Sequence, residues 1–387
     1  MAQFRDFVTL QRGFDLTKTE MRDGHVPVVG STSIIGFHDV WKVAPPGVVT
    51  GRSGSLGTVQ YINEPFWPHN TSLWVKDFKG NDPHFVYYRL QGFDFGRFNA
   101  GAGVPTLNRN HLDTLELDIP PLQTQRRIAS ILSAYDELIE NNQRRIRILE
   151  DMARSLYREW FVHFRYPGHE NERSEVSSLR PSVPLVDSPL GRIPQGWEVK
   201  KLGDIAEDMR RNIPKGQLDE PQPYVGLEHI PRRSLALDSW EIASELGSNK
   251  LAFKKGEVLF GKIRPYFHKV SIAPFDGLCS ADTIVIRARQ PEHYAIVVGC
   301  VSSDEFVAHA TATSNGSKMP RANWSVLKER PIAIPTLTVA RQFSAVVEPA
   351  IQQMQTLIFQ TTNLRRTRDL LLPRLLSGQV ALAAAEP

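Results

Sequence analysis

Two segments of the chain decide its fold: LELDIPPLQTQRRIASIL at residues 115–132 and ERPIAIPTLTVARQFSAVV at residues 329–347. They align at a constant offset of 215 residues, which places Pro120 on Pro335. A segment that recurs within one chain indicates a duplicated structural unit. We therefore expect a tandem duplication in which each copy ends in a long helix.

Four shorter blocks upstream of each segment match in the same order. Four ordered matches are unlikely to arise by chance, so the duplication extends over most of the chain. The pairs are FRDFV (4–8) with LGDIA (202–206), PVVGS (27–31) with PYVGL (223–227), GVVTGRSGSLGTV (47–59) with GEVLFGKIRPYFHKV (256–270), and TSLWVKD (71–77) with DTIVIRA (282–288).

The upstream part of each copy is predicted to be an α+β module. Short β-rich runs bounded by Gly and Pro are typical of strands, and a helical stretch follows them near residues 82–93 and 292–301. Each module is about 120 to 140 residues long, an ordinary domain size. The predicted organisation is a first module at 1–119, a central helix at 120–165, a linker at 166–193, a second module at 194–335, a C-terminal helix at 336–379 and a tail at 380–387.

Apolar residues in both helices recur alternately every four and three residues. This heptad pattern is typical of helices that bury one stripe against another helix and supercoil with it. The predicted fold class is therefore α+β, with two similar modules separated by two long antiparallel coiled-coil helices in a pseudo-twofold internal repeat. A helix of about 38 residues spans roughly 57 Å. The main seam residues are Ile128, Leu132, Ile139, Ile146, Leu149, Leu156, Phe343, Val347, Leu357, Leu364 and Leu371.

Some helix positions depart from this apolar seam. Asn142, Thr361 and Arg368 place polar groups on it, either to fix the helix register at a cost in stability or because the seam is wet or faces another protein there. Pro349 is expected to kink or divide the second helix, because proline lacks an amide hydrogen. Apolar side chains off the seam either bind a partner subunit or are covered by the modules; they are Ile131, Leu138, Ile148, Tyr157 and Phe161.

The composition narrows the class of protein. The 387 residues are 41% hydrophobic and 23% charged with a net charge of +4, which is typical of a globular protein with more than one domain and permits a nucleic-acid partner. No apolar run reaches the roughly 18 residues of a membrane span, and the start lacks a signal sequence, so we expect a cytoplasmic protein with no membrane contact. Cys279 and Cys300 lie among apolar neighbours and are predicted to be buried free thiols.

No catalytic motif is found in the sequence. The Gly-rich run at 51–57 lacks the Lys-Ser/Thr of a phosphate loop, and a strand is expected after it. Asp82-Pro83-His84-Phe85 only partly matches the Asp/Asn-Pro-Pro-Tyr motif of amino-methyltransferases. The eleven histidines form no metal-binding pattern. We therefore expect a non-catalytic chain that binds no metal and no cofactor.

Two loops of each module carry side chains suited to DNA. Reading of duplex DNA uses Arg, Lys, Asn and similar groups for base edges and cations for phosphates. For any single residue, an ordinary solvated loop is an equal alternative; the duplication of both cationic loops favours DNA. The candidates are Arg52, Ser53, Ser55, Asn99, Thr106, Asn108, Arg109 and Asn110 in the first module, and Lys262, Arg264, Tyr266, His268, Asn315, Ser317, Lys318, Arg321 and Asn323 in the second.

The whole layout resembles the specificity subunit of type I restriction-modification systems. The most specific matches are Ile119-Pro120-Pro121-Leu122-Gln123 with Arg126 and Ile128, Trp197-Glu198-Val199 with Leu202-Gly203-Asp204-Ile205, and Gly256-Glu257-Val258-Leu259 through Ile263-Arg264-Pro265-Tyr266. The chain departs from the family pattern at Thr336, where Pro-Pro-Leu is commoner, and at Val339-Ala340, where Glu-Gln is usual. These departures affect the helix rather than the modules.

The resemblance implies a function and partners. Each module of such a subunit is a target-recognition domain that reads one half of a split, asymmetric site in double-stranded DNA. Two methylation subunits that use S-adenosylmethionine would bind the helical regions, and restriction subunits driven by ATP would join the larger complex. Two alternatives are a recognition subunit of another modification or phage-exclusion system and a stand-alone DNA-modifying enzyme, which would need a methyl-donor motif.

Overall fold

The computed structural model describes residues 2–101, 103–169 and 183–380. The chain forms two compact units, one drawn from Met1–Ile139 with Asn363–Pro387 and the other from Glu140–Thr362. We call them the first unit and the second unit. Both contain strands and helices, so the chain has a two-domain architecture of the α+β class. The middle of the predicted linker, 170–182, and the tail from 381 lie outside the described residues.

The first unit begins with a short strand and ends its module just before a long helix. Its elements are β1 Ala2–Gln3, α1 Phe4–Phe7, β2 Thr9–Arg12, β3 Val26–Val29, β4 Ile34–His38, β5 Gly47–Gly51, β6 Val59–Ile62, β7 Trp67–Pro68, β8 Ser72–Asp77, α2 Pro83–Gln91, β9 Glu116–Leu117 and the first part of α3 Leu122–Tyr157. Helix α2 starts where the sequence predicted, because the Asp82 carboxylate accepts a hydrogen bond from the Phe85 amide and Pro83 suits the first turn.

The second unit contains the remaining elements. They are β10 Leu185–Ser188, β11 Gly191–Pro194, β12 Glu198–Lys201, α4 Leu202–Ile205, β13 Ala206–Asp208, β14 Arg211–Ile213, β15 Gln222–Val225, β16 Glu241–Ala243, β17 Lys250–Phe253, β18 Val258–Gly261, β19 Val270–Ile272, β20 Gly277–Ser280, β21 Thr283–Ala288, α5 Tyr294–Val301, α6 Asp304–Ala312, α7 Trp324–Leu327, β22 Pro331–Ile334 and most of α8 Leu337–Leu376.

The two units share one strand topology. An antiparallel four-stranded sheet has the order β2-β8-β5-β6 in the first unit and β13-β21-β18-β19 in the second. A second sheet contains a parallel pair in each unit, β3 with β7 and β15 with β20. A third, two-stranded sheet pairs a strand near the start of each module with the last strand of that module, β1 with β9 and β12 with β22. The second unit adds β14 and β17 to its second sheet.

Helices α3 and α8 contact each other within each unit. In the first unit, Ile128 and Leu132 belong to the same buried cluster as Leu375. In the second unit, Ile146 clusters with Leu357 and Ile358. At the end of α3 in that unit, the Tyr157 ring lies 6.4 Å from the Phe343 ring between centroids. In the second unit, residues later in α3 therefore contact residues earlier in α8, as in an antiparallel pair of helices.

The remaining seam residues pack against the cores of the two units or are at least half-buried. Leu149 and Leu156 are half-buried against the core of the second unit, and Val347 is buried in it. Leu371 is half-buried against the core of the first unit. Ile139 is buried and Leu364 is half-buried. The predicted seam residues are thus buried or half-buried throughout.

A charged pair accounts for one polar seam position. The Arg368 guanidinium donates to Asp136 Oδ1 at 2.5 Å, and the Tyr88 hydroxyl donates to Asp136 Oδ2 at 2.5 Å. All three groups belong to the first unit, and a carboxylate held by two donors favours one helix register over its neighbours. Thr361 differs, because its buried hydroxyl has no hydrogen-bond partner among the described residues.

Three expectations about the helices and linker need correction. Pro349 does not divide α8, which is continuous from Leu337 to Leu376, and the kink that was the other expectation stays a prediction. The proline lies on an exposed face of the helix, where water can hydrogen-bond the carbonyl that loses its partner. The described end of the linker contains the hairpin β10–β11, which its composition did not predict. The second unit also has a helix, α6, that was not predicted.

The apolar residues off the seam divide into two groups. Tyr157 and Phe161 pack in the core of the second unit, and Ile131 packs against the core of the first. Leu138 and Ile148 remain 51% and 57% exposed. Both cysteines are buried free thiols, as predicted, and burial raises the pKa of Cys279 to about 12 and that of Cys300 to about 11.

Candidate nucleic-acid interface

In the first unit, the loop after β5 and the loop before β9 are joined by backbone contacts. The Leu107 amide donates to the Arg52 carbonyl at 2.8 Å, and the Gly54 amide donates to the Pro105 carbonyl at 2.9 Å. Ser53 and Thr106 form an isolated antiparallel bridge. The structure therefore brings the two predicted groups of DNA-binding residues in this unit onto one surface.

The second unit repeats these contacts at equivalent positions. The Ala322 amide donates to the Lys262 carbonyl at 3.0 Å, and the Arg264 amide donates to the Pro320 carbonyl at 2.8 Å. Ile263 bridges Arg321. Because the same backbone bonds recur, the loop after β18 and the loop before β22 form the counterpart of the surface in the first unit.

The base of each loop is closed in the same way. The Gly51 amide donates to the Thr58 carbonyl at 3.2 Å, and the Gly261 amide donates to the Lys269 carbonyl at 2.9 Å. Thr58 and Lys269 are therefore equivalent, and so are the residues before them, Gly57 and His268. The strand β6 that follows Gly57 is antiparallel to β5, which excludes the strand-loop-helix arrangement of a phosphate loop at residues 51–57.

Several candidate side chains hold their own loop together. Asn99 Oδ1 accepts hydrogen bonds from the amides of Gly101 and Thr106, both at 2.9 Å. Asn108 and Asn323 use Oδ1 to cap short helical turns, through the amides of Asn110 at 3.1 Å and Ser325 at 3.0 Å. Arg109 donates to the Leu10 carbonyl at 2.9 Å. These bonds set the loop shape and use part of each side chain's hydrogen-bonding capacity.

Other candidates leave their polar groups nearer to solvent. Ser55, Ser317 and Lys318 are exposed, and Tyr266 is 51% exposed. Arg321 is exposed with its Nε 3.6 Å from Asp282. These side chains are placed to meet a ligand at the surface.

Lys262 and Arg52 are anchored more closely. Lys262 Nζ donates to the Ala281 carbonyl at 2.8 Å, and burial lowers the pKa of its ammonium group. The Arg52 guanidinium donates to the Asn70 carbonyl at 3.2 Å. Both cations are half-buried at the root of their loops.

The structure corrects the expected role of His268. Its side chain is only about 5% exposed, and Nε2 lies 2.9 Å from the Ser302 carbonyl. Burial lowers the pKa of the imidazole, which favours the neutral ring. A ring this buried supports the loop from beneath instead of touching DNA.

Sequence reasoning missed residues that lie beside these loops. Ser31 in the turn after β3 donates to the carbonyls of Ser53 at 2.7 Å and Thr71 at 2.9 Å, which ties a third segment to the surface of the first unit. In the second unit, the Arg232 guanidinium stacks 4.1 Å from the centroid of the Phe267 ring. The Arg232-Arg233 pair was visible in the sequence, but it lies outside the matched loops.

Helix α3 supports the loop of the second unit from behind. Oε1 of the buried Glu150 accepts hydrogen bonds from Ser234 Oγ at 2.6 Å and from the amides of Leu235 at 2.6 Å and Ala236 at 2.9 Å. One turn later, Arg154 donates to the Arg233 carbonyl. The Arg233 amide in turn donates to the His268 carbonyl at 2.8 Å. The loop after β18 is therefore fixed to α3 through one intervening segment.

Two features are absent from the part of the chain that the structure describes. No cluster of three or more His, Cys, Asp or Glu side chains that could bind a metal ion was found in this part of the chain. Among the same residues, no helix combines the length and apolar character needed to cross a membrane.

Comparison with known proteins identifies the class to which this fold and surface belong. The model of the family "Type I restriction modification DNA specificity domain" matches residues 3–151 and 194–359. These two matches cover most of the chain, one in each half of the sequence. The chain belongs to the type I restriction-modification DNA specificity family.

Relatives and a solved structure are consistent with this assignment. The chain is similar to the type I restriction enzyme MjaIX specificity subunit of Methanocaldococcus jannaschii, with 26% identity over 88% of this chain and 79% of that protein. It is also similar to the EcoDI specificity subunit of Escherichia coli, with 22% identity over 88% and 78%. The crystal structure of a type I S subunit from M. genitalium has the same fold, with a TM-score of 0.59 and 15% identity over 95% of this chain and 93% of that one.

Proposed function

We propose that this chain is the DNA sequence-specificity subunit of a type I restriction-modification complex and has no catalytic activity of its own. The observation that carries the proposal is the repeated surface. Two loops are joined by the same backbone bonds in both units and carry Arg or Lys in each. Family membership supplies the kind of ligand, which is DNA.

Each unit is proposed to read one half of a split, asymmetric site in double-stranded DNA. The backbone of the two surfaces is alike, but the side chains differ. The first unit carries Arg52, Ser55 and Asn99 on this surface, whereas the second carries Tyr266, Lys318 and Arg321. Because base edges are distinguished by the donor and acceptor groups that meet them, different side chains on one scaffold select two different half-sites.

Helices α3 and α8 are proposed to form an antiparallel coiled coil that spaces the two recognition domains, as expected of a duplicated, pseudo-twofold chain. Two observations support this. The seam residues are buried or half-buried in each unit. In the second unit, residues later in α3 contact residues earlier in α8. The Asp136–Arg368 pair gives the first unit a preferred register.

The partners are proposed from the family. Two methylation subunits would bind S-adenosylmethionine and methylate adenine, and restriction subunits would use ATP. This chain would bind neither cofactor. Exposed Leu138 and Ile148 on α3 are candidates for contact with a methylation subunit, since exposed apolar side chains on a helix face suit a protein partner.

Adenine methylation mapped across a genome with and without this gene tests the proposal. We expect one split motif to lose its methylation when the gene is removed. In the reconstituted complex, Arg52→Ala and Arg264→Ala should each weaken recognition of a different half of that motif. If either single variant lost recognition of both halves of the motif, the two units would not read their half-sites independently. Methyl transfer from labelled S-adenosylmethionine by the purified chain alone would show instead that it is a stand-alone enzyme.

A further inference from the structure

Val104 and Met319 occupy the same place in the two reading surfaces. They align at the offset of 215 residues, and each directly precedes a proline, Pro105 or Pro320. Their side chains are 58% and 46% exposed. Both are apolar residues in loops that otherwise carry polar and cationic side chains. An apolar group at the same exposed position of both surfaces suggests a shared apolar contact with the ligand.

The backbone on both sides of Val104 makes close contacts. Thr106 Oγ1 donates to the Val104 carbonyl at 3.0 Å. A Cβ atom on Gly101 would lie 2.0 Å from the same carbonyl oxygen, so only glycine permits this close approach. The Gly54–Pro105 backbone bond anchors the next residue. These contacts fix the backbone position of Val104 while its side chain stays exposed, and a preformed backbone lowers the entropy cost of a contact.

The loop around Met319 is built in a similar way. Gly316 has a φ of +102° and would place a Cβ atom 3.3 Å from the Met319 carbonyl oxygen. The Arg264 amide holds the Pro320 carbonyl at 2.8 Å. Lys318 precedes the methionine and Arg321 follows the proline, so an exposed apolar group lies between two cations. This arrangement suits a surface that meets phosphates and base edges together.

The chemistry of duplex DNA indicates which group would fill this contact. The 5-methyl of thymine is the apolar group that a base pair presents in the major groove, and apolar side chains distinguish thymine through it. Apolar wedges that open a base step in the minor groove are typically Phe, Leu, Ile, Met or Pro. The short valine in the first unit suits contact with a methyl group better than insertion between bases. Met319 has a side chain of the wedge type, so its assignment rests on its position equivalent to Val104.

We infer that Val104 and Met319 are specificity-determining residues, each in van der Waals contact with the 5-methyl group of a thymine in the half-site read by its own unit. This inference rests on the proposed function and deepens it, because it assigns one base type to one named side chain in each half. It adds an apolar contact to the polar candidates of each surface.

Deoxyuridine substitution in the reconstituted complex tests the inference. Deoxyuridine keeps the base-pairing edge of thymine and removes only the methyl group. After the motif has been read from the methylation map, each thymine is replaced in turn in a short duplex. With the wild-type chain, we expect one replacement in each half-site to weaken binding about fourfold, the equivalent of roughly 0.8 kcal/mol for one buried methyl. With Val104→Ala, sensitivity should disappear in one half-site only, and with Met319→Ala in the other.

The controls separate this inference from the proposed function. Val346→Ala removes an equally apolar, exposed side chain from helix α8 and should leave the deoxyuridine profile unchanged. Unchanged thermal unfolding of the two loop variants excludes a folding defect. If the wild-type complex binds no specific site, the proposed function fails. If it binds specifically but the variants keep the wild-type deoxyuridine profile, or if no thymine replacement weakens binding of the wild-type complex, only the present inference is overturned.

Discussion

The loop after β5 in the first unit and the loop after β18 in the second are anchored by the same backbone bonds, but they carry different residues and the second is one residue longer. Both turn twice through positive φ. The first unit places Gly54 at +90° and Gly57 at +93°, whereas the second places Arg264 at +50° and His268 at +52°. The left-handed region costs a residue with a Cβ atom about 1 to 2 kcal/mol, a cost that glycine avoids. The first loop is thus the relaxed version and the second the strained one.

The difference shows what the second unit gains from the strain. A strained residue persists only where surrounding contacts hold it. The Arg264 amide bonds the neighbouring loop, and its guanidinium lies 5.9 Å from the Phe267 ring centroid. The His268 ring is buried against Ser302. The second unit therefore has a side chain at each of the two turns where the first unit has glycine.

A substitution that disrupts the core of the first unit should have the largest effect on stability and DNA binding. Leu132 is fully buried in the core of the first unit. Leu132→Asp would bury a charge there and should destabilise that unit by about 4 kcal/mol or more. We expect loss of binding to the half-site read by the first unit, measured with duplexes mutated in one half at a time, together with a lower temperature of thermal unfolding.

Leu138→Asp is the matched control, since the same substitution on the same helix meets an exposed position. It should leave the unfolding temperature of the free chain nearly unchanged. Equal destabilisation by both variants would contradict the assignment of Leu132 to the core and Leu138 to the surface.

Arg264→Gly converts the strained loop into the relaxed one. Relief of strain offsets the greater freedom of glycine in the unfolded chain, so the free energy of unfolding should stay within about 1 kcal/mol of the wild type. Binding of the half-site read by the second unit should fall about tenfold to a hundredfold if the guanidinium reads or neutralises DNA. Competition binding at fixed salt, together with urea unfolding, measures both effects.

A second variant distinguishes the side chain from the backbone. Arg264→Asn keeps a residue that tolerates the left-handed region but removes the charge, and it should lose as much affinity as Arg264→Gly. Wild-type affinity in both variants would show that the strain at this position serves only the shape of the loop.

The reverse change in the first unit should have a smaller effect. A Cβ atom on Gly54 or Gly57 would meet nothing within 4 Å, so only the backbone conformation opposes Gly54→Ala and Gly57→Ala. Each should destabilise the first unit by about 1 kcal/mol. Gly103→Ala is the control, because its Cβ would also meet nothing and its φ is not positive. Equal unfolding midpoints for all three variants would mean that the relaxed loop gains nothing from its glycines.

The sequence predicted the duplication and the seam because both leave periodic, local signals. An offset of 215 residues aligned the proline before each helix, and the seam residues recur every three or four positions. The strands β14 and β17 were not predicted, because they belong to a sheet edge that has no counterpart in the first unit and therefore no repeat to reveal it. The hairpin β10–β11 was missed for a similar reason.

The candidate site was predictable as a set of loops but not residue by residue. Matching loop positions located both surfaces, yet the sequence could not show that His268 is buried or that Asn99 and Asn108 use their oxygens to shape the backbone. The support from Glu150 was also hidden. A glutamate on a long helix normally faces water, and only tertiary contacts bring three donors to its carboxylate.

The smallest expected effect is a pH dependence confined to the strained loop. His268 faces Asp304, with Nδ1 3.4 Å from Oδ1, and the charges of Arg233 and Arg154 also act on it. Burial outweighs the opposing influence of the Ser302 carbonyl and the Asp304 charge, so the pKa of the imidazole lies below its ordinary value of 6.5. The unfolded chain therefore binds a proton that the folded loop does not. The stabilisation of the folded loop by the neutral imidazole is fully present above about pH 6.5, and it is lost as the pH falls toward the lowered pKa.

His268→Asn isolates this contribution, because asparagine tolerates the positive φ and does not titrate. Amide hydrogen exchange at β18 and β19, corrected for intrinsic rates, measures local stability at pH 7.5 and at pH 5. The wild-type loop should lose more protection than the variant on acidification, while β5 and β6 in the first unit, where Gly57 takes the place of His268, should respond equally in both proteins. His293 and His309, whose pKa values burial also lowers, are present in both proteins and cancel in the difference. The same loss of protection at β18 with and without His268 would mean that the buried ring does not couple the loop to pH.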